Sequence, residues 1–102
     1  MGPGKAALLE HIAETGSISA AGRAMGMSYK RAWQLVEAMN AMFRVPLVHS
    51  SRGGPKGGGA VLTEAGQSVL SEFRGLEDKA REAGAEHIER LQDMLTDMSD
   101  GK

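Results

Sequence analysis

From Thr63 to about Asp97 the chain contains no proline, and its apolar residues recur on one helical stripe. Val69, Phe73, Leu76, Ala80, Ala83, His87, Leu91, Met94 and Met98 follow at steps of three and four, an a/d-like seam with one slip near His87. A helix of about 34 residues is roughly 50 Å long at 1.5 Å per residue. The 62 residues before it cannot cover such a rod, so the stripe asks for a partner helix. Thr63 is placed to cap this helix, with Glu64 in its first turn where the helix dipole favours an acid. Gly66, Gly75 and Gly84 each weaken it by up to ~1 kcal/mol relative to alanine. A break near Gly84 into two helices stays open, and fraying is expected after Met98.

Three shorter helices precede it. Leu8, Leu9, Ile12 and Ala13 lie on one helical face, and Gly16 is a natural C-terminal stop. The stretch SISAAGRAM places Ile18, Ala21 and Met25 at helical spacing, with Ser17 or Ser19 as cap and Gly26 as the stop. Ser28 then caps a third helix whose stripe is Ala32, Leu35, Val36, Met39, Met42 and Phe43, ended by Pro46. The second and third helices are separated by little more than Gly26 and Met27, the pattern of a helix-turn-helix. Leu47-Val48 and Ala60-Val61-Leu62 are strand-like, and the residues 50–59 between them hold five Gly and one Pro. That segment cannot form a helix and predicts a β-hairpin with a long tip. The expected architecture is mainly α with a small β-hairpin: a winged helix-turn-helix head over 1–62 and a long acidic dimerisation helix over 63–102.

Composition matters mainly through its distribution. The formal net charge is only −1. Residues 1–62 carry seven bases against three acids, or +4, whereas residues 63–102 carry five bases against ten acids, or −5. A basic head on an acidic arm is a hint of a polyanion-facing surface, although charge runs are more often simply solvated faces. Zero Cys excludes disulfides and cysteine nucleophiles. No apolar run approaches the roughly 20 residues of a membrane span, and no signal segment opens the chain, so a cytoplasmic protein is expected.

The third helix begins with Ser28, Tyr29, Lys30 and Arg31, with Gln34 one turn on. Its first turn offers free amides to a phosphate. Arg31 suits guanine and Gln34 suits adenine in a major groove about 12 Å wide. The hairpin tip carries Arg52 and Lys56 and no acid, and its glycines allow close approach to a phosphate backbone. The plainer readings are that Lys30 and Arg31 face solvent, that Tyr29 stacks on the surface, and that bulky Trp33 is partly buried. GxxxxGK[ST], GxGxxG and GxSxG are all absent, and His11, His49 and His87 fall on separate elements. No enzyme, metal site or cofactor is therefore expected. The seven Met fall mostly on the apolar stripes, which is core packing.

The motifs GSIS-A, MSYKRAW, the wing GGPKGGG and LTEAG, in that order, closely resemble the N-terminal DNA-binding domain of ModE-type molybdate-responsive regulators. More distantly, residues 5–75 resemble the winged helix of LysR-type regulators. The resemblance implies that SYK-x-AW opens the recognition helix, that the GGG wing meets the DNA backbone, and that the helix after LTEAG pairs two subunits. Carried onto this sequence, it points to Ser28, Tyr29, Lys30, Arg31 and Gln34 on the helix. It points to Arg52, Lys56, Gly57 and Gly58 in the wing, and the seam assigns Phe73, Leu76, Ala80, His87, Leu91 and Met94 to the dimer interface. ModE-type regulators also carry a C-terminal β-rich molybdate-binding region, to which nothing in these 102 residues corresponds. No small-molecule effector is expected to bind this stretch, and a link to molybdenum genes follows by analogy only. The expected function is a homodimeric transcription regulator on a pseudo-palindromic operator, its two recognition helices about 34–36 Å apart. The alternatives are a winged-helix protein-interaction module that does not bind DNA, and an oxyanion or metal sensor built around His87 in the seam.

Overall fold

The computed structural model describes residues 1–51 and 59–100, with side chains up to Leu95. The elements run α1 (Pro3–Thr15), α2 (Ile18–Ala24), α3 (Tyr29–Met42), β1 (Val48–Ser51), β2 (Gly59–Leu62) and α4 (Glu64–Asp100). This is the expected winged helix-turn-helix with a long C-terminal helix.

The local signals act as read. Gly16 and Gly26 take the left-handed conformation beyond α1 and α2. Of the two serines before α2, Ser17 is the cap: its Oγ accepts the Ala20 N–H at 3.0 Å. Ser28 Oγ accepts the Arg31 N–H at 3.1 Å at the start of α3. Antiparallel β1 and β2 pair Val48 with Leu62, His49 with Val61, Ser50 with Ala60 and Ser51 with Gly59. Val48, Ala60 and Leu62 turn inward, whereas His49 and Val61 turn outward, the period-two alternation of a one-sided ladder. Ser50, Ser51 and Gly59 thus belong to the ladder and not to the tip expected over 50–59, because backbone pairing continues past the apolar residues.

One core unites the head: Leu8, Leu9, Ile12, Ile18, Ala21, Ala32, Val36, Met39, Leu47, Val48, Ala60 and Leu62, with Ala65, Val69 and Leu70 of α4 packed against it. Ala13 and Met42, placed on apolar stripes in the sequence, are exposed. Met42 sits at the edge of its stripe, where the Lys5 Nζ of α1 stands 4.0 Å from its Sδ. The hairpin is tied back to α1 by the Ala60 N–H, which donates to the Gly16 carbonyl at 2.9 Å.

The root of α4 is a close crossing. The Thr63 N–H donates to the Leu47 carbonyl at 2.9 Å. Thr63 Oγ1 donates to the Pro46 carbonyl at 2.7 Å and accepts the Gly66 N–H at 3.0 Å. Gly66 is buried against β1, and a Cβ there would stand 2.1 Å from the Leu47 carbonyl oxygen. Only glycine fits at that crossing. A Cβ on Gly75 or Gly84 would meet nothing within 4 Å.

Beyond its root α4 runs unbroken through Gly84 and gives the molecule extents of 62 × 28 × 20 Å. Its arm leaves Leu76, Ile88, Leu91, Met94 and Leu95 exposed at 44–64%. Ile88 and Leu95 lie at the edge of the stripe, roughly 80–100° from its centre at about 100° per residue, and half-buried Phe73 lines a groove with Met1 and Phe43 of the head.

The same substitution should act oppositely at two sites on α4. Gly66→Ala should cost about 1–3 kcal/mol or more by overpacking. Gly75→Ala should stabilise by up to ~1 kcal/mol through helix propensity. Urea unfolding of both variants beside the parent protein checks the contrast.

Candidate nucleic-acid interface

The helix-turn-helix depends on how closely α2 approaches α3. Gly22 is buried, and a Cβ there would stand 2.9 Å from the Ala32 Cβ, so the two helices touch almost backbone to side chain. The Met27 N–H donates to the Gly22 carbonyl at 2.9 Å and closes the turn. With Ala32, Val36 and Met39 buried, helical geometry turns the opposite arc of α3 outward. That arc carries Lys30, Arg31 and Gln34, while Ser28 and Tyr29 are exposed at the helix start, one turn before Ala32 and Trp33. The structure therefore brings together the five helix residues singled out from the sequence.

The first turn of α3 contains no acid, and neither Lys30 nor Arg31 forms an ion pair among the described residues. Both cations are thus available to an external anion. Tyr29, 58% exposed, stands edge-on to Trp33 with ring centroids 6.1 Å apart and planes at 70°. Trp33 is half-buried against the core, as its bulk suggests. Its indole N–H is buried without a partner among the described residues. Arg31 also shares the rim of a groove of about 400 Å³ with Lys5 of α1, floored by Met25, Met27 and Leu35. Lys5 is a member of this basic surface that the sequence did not single out. Only the charge count of the head hinted at it, because α1 and α3 are brought together by tertiary packing.

Asn40 was also missed. Its Oδ1 accepts the N–H groups of Leu47 at 2.8 Å and Val48 at 3.1 Å, and its Nδ2 donates to the Val48 carbonyl at 3.2 Å. One amide side chain on α3 thereby fixes where β1 begins, and so fixes the wing relative to α3. Its signal in the sequence is a polar side chain next to the buried Met39. The wing residues Arg52, Lys56, Gly57 and Gly58 lie outside the described residues. His11, His49 and His87 stand on α1, β1 and α4, and among the described residues no group of three acids or histidines is placed to hold a metal ion. No helix among them is long and apolar enough to cross a membrane.

Asn40→Leu should strand two backbone N–H groups and cost about 1–3 kcal/mol for each that stays buried. Ser28→Ala should cost about 1 kcal/mol through loss of the cap. Chemical denaturation of the two variants checks this order.

The family profile described as bacterial regulatory helix-turn-helix protein, lysR family, matches residues 5–67. The molybdenum-pterin-binding protein MopB of Rhodobacter capsulatus is 49% identical over 77 residues, 76% of this chain and 28% of MopB. The DNA-binding transcriptional dual regulator ModE of Escherichia coli K12 is 46% identical over 68 residues, 67% of this chain and 26% of ModE. The chain thus spans about a quarter of the length of these relatives. Among solved structures, the DNA-binding domain of CbnR in complex with DNA superimposes with a TM-score of 0.68 at 23% identity, covering 89% of this chain and 99% of that one. At that identity the likeness establishes the fold.

Proposed function

The chain belongs to the lysR family of bacterial regulatory helix-turn-helix proteins, and from that premise we propose that it is the DNA-binding part of a homodimeric transcription regulator. The observation that carries this reading is the exposed arc at the start of α3. Two unpaired cations, a capped helix start and three further hydrogen-bonding side chains converge there within seven residues. In the major groove, Lys30 meets phosphate, Arg31 forks onto guanine and Gln34 meets adenine. Ser28 and Tyr29 bond phosphate or base edges. In the wing, Arg52 and Lys56 take the phosphates beside the groove, and Gly57 and Gly58 let the DNA backbone approach closely. The protein acts by binding and not by catalysis. Its operators stand before molybdenum-related genes, a reading supported by its likeness to the molybdenum-pterin-binding protein MopB and to the molybdenum transport protein ModE of Azotobacter vinelandii.

The head of residues 1–62 and the acidic arm of 63–102 divide the labour. Phe73, Leu76, Ala80, His87, Leu91 and Met94 meet the partner's arm, with Ile88 and Leu95 at the stripe's edge, and the ten acids after Leu62 keep that arm off the phosphates. The two-fold pairing makes the operator pseudo-palindromic.

Lys30, Arg52 and Lys56 of two protomers make about six phosphate contacts. With a salt slope of about −0.9 per phosphate, affinity should fall roughly 1,000-fold between 50 and 200 mM salt. Fluorescence anisotropy on a labelled duplex reads this, and a salt-independent or absent interaction rejects the DNA-binding reading. The double variant Lys30→Ala, Arg31→Ala should lose at least about 1–3 kcal/mol of binding with unchanged circular dichroism. Lys56→Ala should weaken all sequences alike.

Dimerisation has its own check. Leu91→Asp should give folded monomers by light scattering, because Leu91 stands far beyond the head's core. A variant that is still dimeric would move the interface to another face of α4.

A further inference from the structure

Arg74 stands where α4 leaves the head. Its guanidinium donates to Glu10 of α1, and at 2.6 Å to Glu77 one turn further along α4. The bond to Glu10 joins positions 64 apart in the sequence. Among the described residues it is the ion pair that crosses between two elements. His11–Glu14, Arg81–Asp78 and Arg90–Glu86 each stay within one helix.

Its place gives it leverage. Val69 and Leu70 pack on the core, and residues 78–83 and 85–95 are exposed. Arg74 is therefore the outermost polar tie between head and arm among the described residues. The inner tie is the Thr63–Gly66 crossing over Leu47, eight to eleven residues back, or ~12–17 Å at 1.5 Å per residue. Two ties fix a line, whereas one leaves a pivot. The apolar contacts between them are non-directional and tolerate sliding. A guanidinium shared by two carboxylates does not, because its donors form a rigid fork. Glu10 sits on α1 within one turn of the buried Leu8, Leu9 and Ile12, so the tie reaches the scaffold that carries α3.

We propose that Arg74, held by Glu10, is a positioning residue that sets the angle between α4 and the recognition helix, and thereby the half-site spacing the dimer selects. The inference rests on the homodimeric DNA-binding reading above. The arm from the Gly66 pivot to Leu95 is ~44 Å long by helical rise. A swing of about 10° about that pivot displaces its far end by ~8 Å, or about two base pairs at ~3.4 Å each. The head–arm angle thus translates directly into operator geometry. The pair is partly exposed, at 35% and 44% of the side chains, so its loss should hardly move the melting temperature.

The test is a selection with the full chain from duplexes carrying two half-sites separated by spacers of varied length. The variants are Arg74→Met, Glu10→Gln, Arg74→Lys and the control Arg81→Met. The parent protein and the control should recover one dominant spacing. Arg74→Met and Glu10→Gln should keep the same half-site sequence but accept spacings one to two base pairs away, and Arg74→Lys should narrow them again. An unchanged spacing in both Arg74→Met and Glu10→Gln, with half-sites still bound, overturns the inference and leaves the DNA-binding reading intact. Recovery of no duplex by the parent protein overturns both.

Discussion

The backbone at Leu47 is held from two sides, and the remaining geometry follows from that grip. On one side Asn40 of α3 takes the N–H groups of Leu47 and Val48 on its Oδ1. On the other, Thr63 donates to the carbonyls of Pro46 and Leu47, and Gly66 lies directly against the Leu47 oxygen. The Leu47 side chain itself is fully buried. A stretch of three residues therefore sets the end of α3, the start of the wing and the departure of the arm. Backbone groups buried at such a junction must be paired, because each one left unmet costs about as much as a lost hydrogen bond.

The surface divides along the same lines. Helical geometry that buries Ala32, Val36 and Met39 leaves Lys30, Arg31 and Gln34 facing outward, and Ser28 and Tyr29 are exposed where the helix begins. The head carries +4 and the residues after Leu62 carry −5, so the two parts differ in the sign of their charge. On the arm, Arg74 offsets two of the acids. Glu77 first and Glu10 second, by hydrogen bonds to the guanidinium, hold its pKa above the ordinary arginine value. The apolar residues of α4 from Leu76 to Leu95 stay exposed.

Much of this was legible in the sequence because it is local. The caps at Ser17 and Ser28, the stops at Gly16 and Gly26 and the period of α3 all act within a few residues of one another. The arc from Ser28 to Gln34 was legible for the same reason. Long-range contacts were not. Gly66, Gly75 and Gly84 look alike as helix-weakening residues, yet only Gly66 has a carbonyl 2.1 Å from where its Cβ would be. Nothing near Asn40 announces β1 as its partner, and nothing near Arg74 announces Glu10. Ile88 and Leu95 were passed over because a strict seam through His87 was followed across the slip. At about 100° per residue they lie roughly 80–100° round the helix from Val69 and His87, at the edge of the stripe, where a strict seam leaves them out.

The central claim is that the first turns of α3 are the surface that meets DNA. It is tested most directly by titrating the isotopically labelled chain with a duplex recovered from a random library while following its backbone amide resonances. The account predicts that the largest shifts among the residues of the head fall on Ser28 to Gln34, with those of α4 beyond Leu76 nearly unmoved. Shifts concentrated on the arm, or on the face of α1 away from Lys5, with α3 silent, would contradict it.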